Sequence, residues 1–356
     1  MSDQVPVAAG LGRAVPPEIE HERLWTDYFA AQYAAAGARR LRAAERIWRS
    51  VGVRTRHAAV DPRREDVASW PTSVRMRRFL AEVLPLGKAA VTDALADAGV
   101  SAGDAGLFVV ATCTGYGTPG PDILLARDLG MPAQVQRLLV GHMGCYAALP
   151  GLAAAADHVR AHGRPAVLLA VELPSLHVQP AVGDDLPQVV AHALFSDAAA
   201  AVVLTPGGRG LEVVDVVAVT DSDSTAHMTW EVTDLGFRMG LSPEVPDVLA
   251  RHVGPAVHRL LGAHGLRVGD VAGWAVHPGG PRILDVVAGA LGLPRTALAA
   301  STATLAADGN CSSATVLLVL GRLRPPAGWE PGEHVVALAF GPGLTLYAAL
   351  LRGRVE

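Results

Sequence analysis

The chain has 356 residues, 50% of them hydrophobic and 18% charged, enough to bury one large core or two of ordinary size. A formal net charge of −4 lacks the basic excess of a nucleic-acid or anionic-membrane binder, though it leaves room for a local basic patch. Cys113, Cys145 and Cys311 are odd in number and lack metal-ligand spacing, which argues against a disulfide framework and a zinc site.

Residues 1–22 bear Pro and Gly and predict a loose leading segment; the polar start Met1-Ser2-Asp3-Gln4 shows no signal-peptide pattern. A helical pattern spans 23–48, and the arginine-rich stretch 49–64 reads as an exposed loop or as a landing site for a phosphate-bearing cofactor. A second helical region covers 72–98. The apolar run 107–112 then suits a strand buried on both faces, followed by a turn-rich loop to Gly120 and a helix over 122–129. Strand 135–140 enters Gly141-His142-Met143-Gly144-Cys145, from which a buried Ala/Leu helix runs to 159, and further strands fit 166–171 and 198–204. The second half repeats this grammar: strand 271–276 into His277-Pro278-Gly279-Gly280, helix 282–290, a small-residue helix after Gly309-Asn310-Cys311-Ser312-Ser313, and strands 335–340 and 344–350. The expectation is a layered α/β fold of two duplicated halves, 1–206 carrying the cysteine and 210–356 carrying the histidine and asparagine. No apolar stretch approaches the ~18 residues of a membrane span, and a reducing cytoplasm is expected.

Three residues carry the chemistry. Cys145 follows a glycine turn at a predicted helix N-terminus, whose dipole favours thiolate; the alternative is an inert core cysteine. His277 ends a buried strand at a Gly-rich loop and reads as catalytic or as a structural histidine. Asn310 precedes a helix, and alone it reads as an N-cap. Together they suit acyl transfer: a thiolate to hold an acyl group, and His and Asn donors for a carbonyl oxygen that becomes negative.

Five segments in order support a resemblance: Gly144-Cys145; Ala193-Leu194-Phe195-Ser196-Asp197; His277-Pro278-Gly279-Gly280-Pro281-Arg282-Ile283-Leu284-Asp285; Gly309-Asn310-Cys311-Ser312-Ser313-Ala314; and Phe340-Gly341-Pro342-Gly343-Leu344-Thr345. The chain resembles the type III polyketide synthases, the chalcone-synthase-like enzymes of the thiolase superfamily. The stretch His227-Met228-Thr229-Trp230-Glu231-Val232 looks most like the bacterial alkylpyrone- and alkylresorcinol-forming branch.

The resemblance implies an αβαβα thiolase-type fold, a homodimer, and acyl-CoA and malonyl-CoA as substrates, with no metal or prosthetic group. It implies Cys145 as nucleophile, His277 as the imidazolium partner of its thiolate, and Asn310 with His277 at the oxyanion site. Phe195 and Met239 fall at gatekeeping positions. Cys113, Thr118, His177 and Ser312 fall at pocket positions, Thr118 where plant relatives carry a Met that reaches the partner subunit. Arg54, Arg282, Arg49 and Gly279 fall where coenzyme A is held. Two departures bear on the cavity: Phe195-Ser196-Asp197-Ala198 replaces Phe-Gly-Asp-Gly, and Ala339 replaces the Gly before Phe340. A fatty or branched acyl starter is expected. Competing readings are a ketoacyl synthase III-type enzyme, which has His-Gln-Ala-Asn where this chain has His277-Pro278-Gly279-Gly280; a papain-like protease, whose local cysteine signature is missing; and a non-catalytic acyl-binding relative.

Overall fold

A computed structural model describes residues 4–181 and 185–355; Met1, Ser2 and Asp3 of the polar start lie outside them. The described residues contain strands β1 (Pro6–Ala14), β2 (Glu18–Glu20), β3 (Thr55–His57), β4 (Leu107–Thr112), β5 (Gln136–Gly141), β6 (Ala166–Glu172), β7 (Ala198–Pro206), β8 (Gly210–Thr220), β9 (Met228–Thr233), β10 (Gly236–Leu241), β11 (Val271–Val276), β12 (His334–Gly341) and β13 (Thr345–Arg354). Nine of them form one mixed sheet, in the order β11-β12-β13-β8-β1-β7-β6-β4-β5.

The sheet has two arms of one topology. From the centre outward each arm begins with its first strand, then its last, then its inner strands: β1, β7, β6, β4, β5 on one side and β8, β13, β12, β11 on the other. In both arms the first and last strands pair antiparallel, and the inner ones include parallel pairs. The arms join where Val7 and Ala8 of β1 pair with Glu212 and Leu211 of β8. The duplication expected from the repeated strand–loop–helix order is present as topology.

Strand periodicity makes the layers. Along β6, Ala166, Leu168 and Ala170 face a core shared with helices Ala148–His162 and Ala314–Leu323, while Val167, Leu169 and Val171 face helix Thr72–Ala98. Along β12, Val335, Ala337 and Ala339 face the same shared core, and Val336, Leu338 and Phe340 face helices Val245–Gly262 and Pro281–Leu291. Two helices are thus sandwiched between the arms and others cover the outer faces, giving five layers. Strands buried on both faces read as unbroken apolar runs.

The leading segment is not loose. β1 is a nine-residue strand at the centre of the sheet. Its glycines are there for close approach: a Cβ on Gly10 would stand 2.2 Å from Ala94 O, and one on Gly12 2.1 Å from Ala90 O. The helix Thr72–Ala98 therefore lies directly on the β1 backbone, and those glycines are not turn markers. The helical pattern over 23–48 resolves into shorter pieces, with Gly37 at φ 107° ahead of the helix Ala38–Ser50. The hairpin β9–β10 and the helices Leu186–Leu194 and Val245–Gly262 lie where the sequence analysis assigned no element.

Candidate active site

Cys145 occupies a single 3-10 turn, Gly144–Tyr146, between β5 and the sandwiched helix Ala148–His162. The turn is entered through His142 at φ 62° and Gly144 at φ 73°, left-handed conformations that glycine adopts freely. The loop after β12 closes on it from the other half: a Cβ on Gly144 would stand 2.6 Å from Pro342 Cδ, and one on Gly341 3.2 Å from the Cys145 nitrogen. A side chain at either glycine would push that loop off the cysteine.

His277 leaves β11 with its N–H donating to Leu338 O at 2.8 Å. The residue is 2% exposed, and neither Nδ1 nor Nε2 has a hydrogen-bond partner. A buried imidazole without partners is costly, as expected of a ring kept free for a ligand. Asn310 is not an N-cap: the next helix begins after Ser313 and has no side-chain cap. Its Oδ1 accepts from the Ser312 N–H at 2.9 Å, an assignment that leaves the side-chain NH2 to donate.

Cys145, His277 and Asn310 line one cavity of about 550 Å³, together with Phe195, Met239, Gly279 and Arg282. Ile47, Val51, Leu194, Leu241 and Leu249 make much of the rest of its wall aliphatic. Behind Cys145, Cys113, Ser312 and Trp230 line a recess of about 20 Å³. His177 lines a third pocket of about 40 Å³, where its Nε2 meets Thr114 O at 2.7 Å and its Nδ1 accepts from the Phe237 N–H at 3.0 Å. Phe195 and Met239 border all three spaces. Thr118 lies apart, exposed on the loop before helix Pro121–Asp128. Arg49 is exposed and bound to Glu45 at 2.6 Å, and Arg54 is exposed beside Gly52, whose Cβ would stand 3.3 Å from Pro281 at the cavity rim. Neither arginine lines the cavity.

Burial pushes the Cys145 thiol up to about 12 and the His277 imidazole down to about 3. The Ser312 hydroxyl and the Cys145 N–H favour the thiolate and oppose that burial. Proton transfer from thiol to imidazole would create two charges that offset each other in the same water-poor space. Behind the pair lies Glu172, fully buried at the end of β6, accepting from Ser313 Oγ at 2.5 Å, Thr114 Oγ1 at 2.7 Å and the Cys113 N–H at 3.0 Å. Cys113 Sγ is 3.3 Å from Ser312 Oγ, so this network also braces the side chain that contacts Cys145.

Models of the N-terminal and C-terminal domains of the chalcone and stilbene synthases match residues 4–208 and 216–355. The chain belongs to the chalcone and stilbene synthase family. It is an enzyme of the type III polyketide synthase class. It is 37% identical over 351 residues to 1,3,6,8-tetrahydroxynaphthalene synthase of Streptomyces peucetius subsp. caesius, covering 97% of this chain and 92% of that one. It is 32% identical to the alpha-pyrone synthesis polyketide synthase-like Pks18 of Mycobacterium tuberculosis, covering 97% and 91%. The crystal structure of the Streptomyces coelicolor A3(2) tetrahydroxynaphthalene synthase superimposes with a TM-score of 0.91 at 28% identity, covering 99% of this chain and 100% of that chain.

The two departures from the chalcone-synthase pattern turn away from the cavity. Ser196 Oγ accepts from the His57 N–H at 2.8 Å, tying β3 to the segment after Phe195. Ala339 is buried in the shared core, on the face of β12 opposite Phe340, which lines the cavity. Three residues at this type III synthase site escaped the sequence analysis. Glu172 carried a signal, a lone carboxylate closing an apolar strand. Trp230 lay in a stretch noted only for its likeness to relatives, and Arg56 was one arginine among several in 49–64.

Proposed function

We propose that the protein loads an acyl group from an acyl-CoA starter onto Cys145 and extends it repeatedly with malonyl-CoA before ring closure. The observation that carries this reading is the convergence of Cys145, His277 and Asn310 on one largely aliphatic cavity. The thiol proton passes to His277, and the thiolate attacks the thioester carbonyl and releases coenzyme A. Malonyl-CoA then loses carbon dioxide, and the electrons of the broken C–C bond form an enolate whose oxygen accepts hydrogen bonds from His277 and the Asn310 NH2. The enolate carbon attacks the acyl group, Cys145 leaves as thiolate, and transfer of the longer chain back to the thiol starts another round. Phe195 and Met239 gate the passage between the spaces they border, Cys113, His177 and Ser312 shape the pockets behind it, and Gly279 and Arg282 hold coenzyme A at the rim with help from Arg54 and Arg49. Coenzyme A thioesters are the only cofactor-like species the scheme uses.

Aliphatic walls favour a fatty or branched starter and an alkylpyrone- or alkylresorcinol-type product. A second reading, in which malonyl-CoA also serves as starter, draws support from the 37% identity to a tetrahydroxynaphthalene synthase and from the tight recess behind Cys145. Mass spectrometry of products from malonyl-CoA alone and with a ladder of acyl-CoA starters separates them, beside a Cys145→Ala control. Products with several malonyl-derived units, lost in the control, support the scheme. Turnover of aromatic starters only would sink the aliphatic assignment, and condensation only with carrier-bound malonyl groups would move the protein to the ketoacyl synthase III reading.

Dimerisation through β5 fits the same reading. β5 is the outer strand of the N-terminal arm, and Leu138 and Leu139 are 41% and 44% exposed on it. An uncovered edge of this kind is satisfied by its own copy across a two-fold axis. Thr118 is likewise exposed and free to meet a partner. Light scattering of the wild type and of a Leu138→Asp, Leu139→Asp variant tests this; a wild-type monomer refutes it. We place the protein in the cytoplasm, among the described residues no helix being long and apolar enough to cross a membrane, and divide its halves between the end of β7 and the start of β8.

A further inference from the structure

Arg75, in the first turn of helix Thr72–Ala98, is wholly buried, and among the described residues no carboxylate pairs with it. Burial pulls its guanidinium down only to about 10, so it stays charged at neutral pH. A cation in such a place is destabilising unless its N–H groups are met. Its donors go to four carbonyls in two groups. Nε donates to Trp70 O at 2.7 Å and Nη2 to Ala68 O at 3.4 Å, just ahead of the helix. Nη1 donates to Leu176 O and, at 2.9 Å, to Val178 O, the carbonyls on either side of His177.

His177 is held from its other side as well. Its Nε2–H donates to Thr114 O and its Nδ1 accepts from the Phe237 N–H, so both ring nitrogens are used and one tautomer is fixed. The ring stacks on Phe237 with centroids 4.5 Å apart and planes 9° apart, and both line the pocket behind Phe195 and Met239. Phe237 belongs to β10, and Thr72 grips the turn that leads into it. The Thr72 N–H donates to Asp234 O at 2.9 Å, the Gly236 N–H donates to Thr72 Oγ1 at 2.7 Å, and Thr72 Oγ1–H donates to Thr233 O. Gly236, at φ 96°, is the point of contact: a Cβ there would stand 2.7 Å from Arg75 Cδ and 2.8 Å from His177 Nδ1. One helical turn thus fixes both elements that carry the stacked pair, although neither Thr72 nor Arg75 lines any of the three spaces at the site.

We infer that Arg75, with Thr72, is a positioning residue for chain length: it fixes the His177–Phe237 pair as the rear stop for the growing polyketide chain. The inference rests on the proposed elongation on Cys145. The recess behind Cys145 and the pocket of His177 share Pro174, Phe195, Trp230 and Met239 in their walls, so a chain that outgrows the recess meets the stacked pair next. A pocket of about 40 Å³ holds only a few water-sized groups, and a small displacement of either ring changes what fits. A planar fork that bonds both carbonyls flanking His177 fixes the turn in a way that a single ammonium does not.

The test counts malonyl-derived units per product, by mass spectrometry, from malonyl-CoA and the starter that wild type uses fastest. Loading of Cys145 is followed beside it as the mass gain of intact protein with the starter alone. Arg75→Lys keeps the charge and loses the fork. It is expected to raise the ratio of products with one further unit to the wild-type product about tenfold, while Cys145 loading stays within about twofold. Thr72→Val, which frees the hairpin turn, should shift the ratio the same way. In a His177→Ala background the effect of Arg75→Lys should fall to about twofold or less, because Arg75 acts through His177. The ratio does not depend on how much of a variant folds, so a lower yield or rate at constant ratio would show a scaffold role only and overturn the inference. An undiminished shift in the His177→Ala background would overturn it too. With Arg75→Lys recovered unfolded, an unchanged ratio in Thr72→Val would do the same. A wild type that adds no more than one malonyl unit would overturn the synthase reading itself.

Discussion

Phe195 and Asn310 form a two-residue parallel bridge between the halves: the Asn310 N–H donates to Leu194 O at 2.9 Å, and the Ser196 N–H donates to Asn310 O at 3.0 Å. The proposed gate and the proposed oxyanion donor therefore share one backbone ladder, and what moves one moves the other.

Arg56 holds that ladder from behind. It is buried, and it donates to the carbonyls of His192 at 2.7 Å, Ala193 at 2.5 Å and Phe195 at 3.1 Å, while its guanidinium lies 5.1 Å from the centre of the Trp48 ring. These carbonyls end helix Leu186–Leu194, where a cation also meets the negative end of the dipole. Arg56→Met keeps much of the apolar stem and strands three carbonyls. A loss of about 3 kcal/mol or more is expected in urea unfolding, with a broader product spread in the surviving enzyme. Unchanged stability and products would show that the helix end holds itself.

Trp230 divides the small recess behind Cys145 from the pocket of His177. Its Nε1–H donates to Cys113 O at 2.8 Å, and its ring meets Phe195 edge-on at 6.0 Å and His177 at 5.7 Å. Trp230→Ala removes that wall. The expected outcome is acceptance of longer starters or an added malonyl-derived unit, read as a rise in product mass. A product set identical to wild type would mean that chain length is fixed elsewhere.

The parts of this site that were legible in sequence are those where chemistry and backbone demand the same residue. Cys145, His277 and Asn310 stand at Gly-rich strand ends, and glycines that permit those turns are visible as letters. The buried strands were equally plain, because burial on both faces leaves an apolar run. What was hidden depends on distant partners. Gly10 and Gly12 look like loop residues until a helix lies on them, and Arg56 looks like a surface charge until it reaches three carbonyls of a helix more than a hundred residues later. The surroundings of Cys145 were hidden in the same way: the local helix end favours thiolate, while burial by both halves pushes the thiol up.

Acid should destabilise the fold from near neutrality. His21, His177, His192 and His277 are each held down to about 3 by burial, against an ordinary value of 6.5. Above 6.5 both folded and unfolded chains carry them neutral, and they contribute nothing to pH dependence. Between 6.5 and 3 the unfolded chain takes up protons that the folded chain refuses, so stability falls as pH falls. Asp197, raised to about 6 by burial, and Glu172, also raised, act oppositely over part of this range but are fewer. Urea unfolding should lose on the order of 5 kcal/mol between pH 7 and pH 5. A flat profile would mean that these rings can ionise in place.

Alkylation of Cys145 reports directly on the resting pair. With the thiol near 12 and the imidazole near 3, the thiolate fraction below pH 8 should rise about tenfold per pH unit, and the iodoacetamide rate with it. Peptide mass spectrometry separates Cys145 from Cys113 and Cys311, both buried and both pushed well above the usual thiol range. A rate that is level from pH 6 to pH 8 in wild type, and that becomes pH-dependent in His277→Ala, would establish a preformed thiolate–imidazolium pair. A rise of equal steepness in both proteins would instead show that His277 takes no proton from the resting thiol. Its part in loading would then begin only when a thioester has entered and displaced water from the cavity, because charge separation on sulfur and imidazole is favoured there by the carbonyl oxygen they polarise together with Asn310.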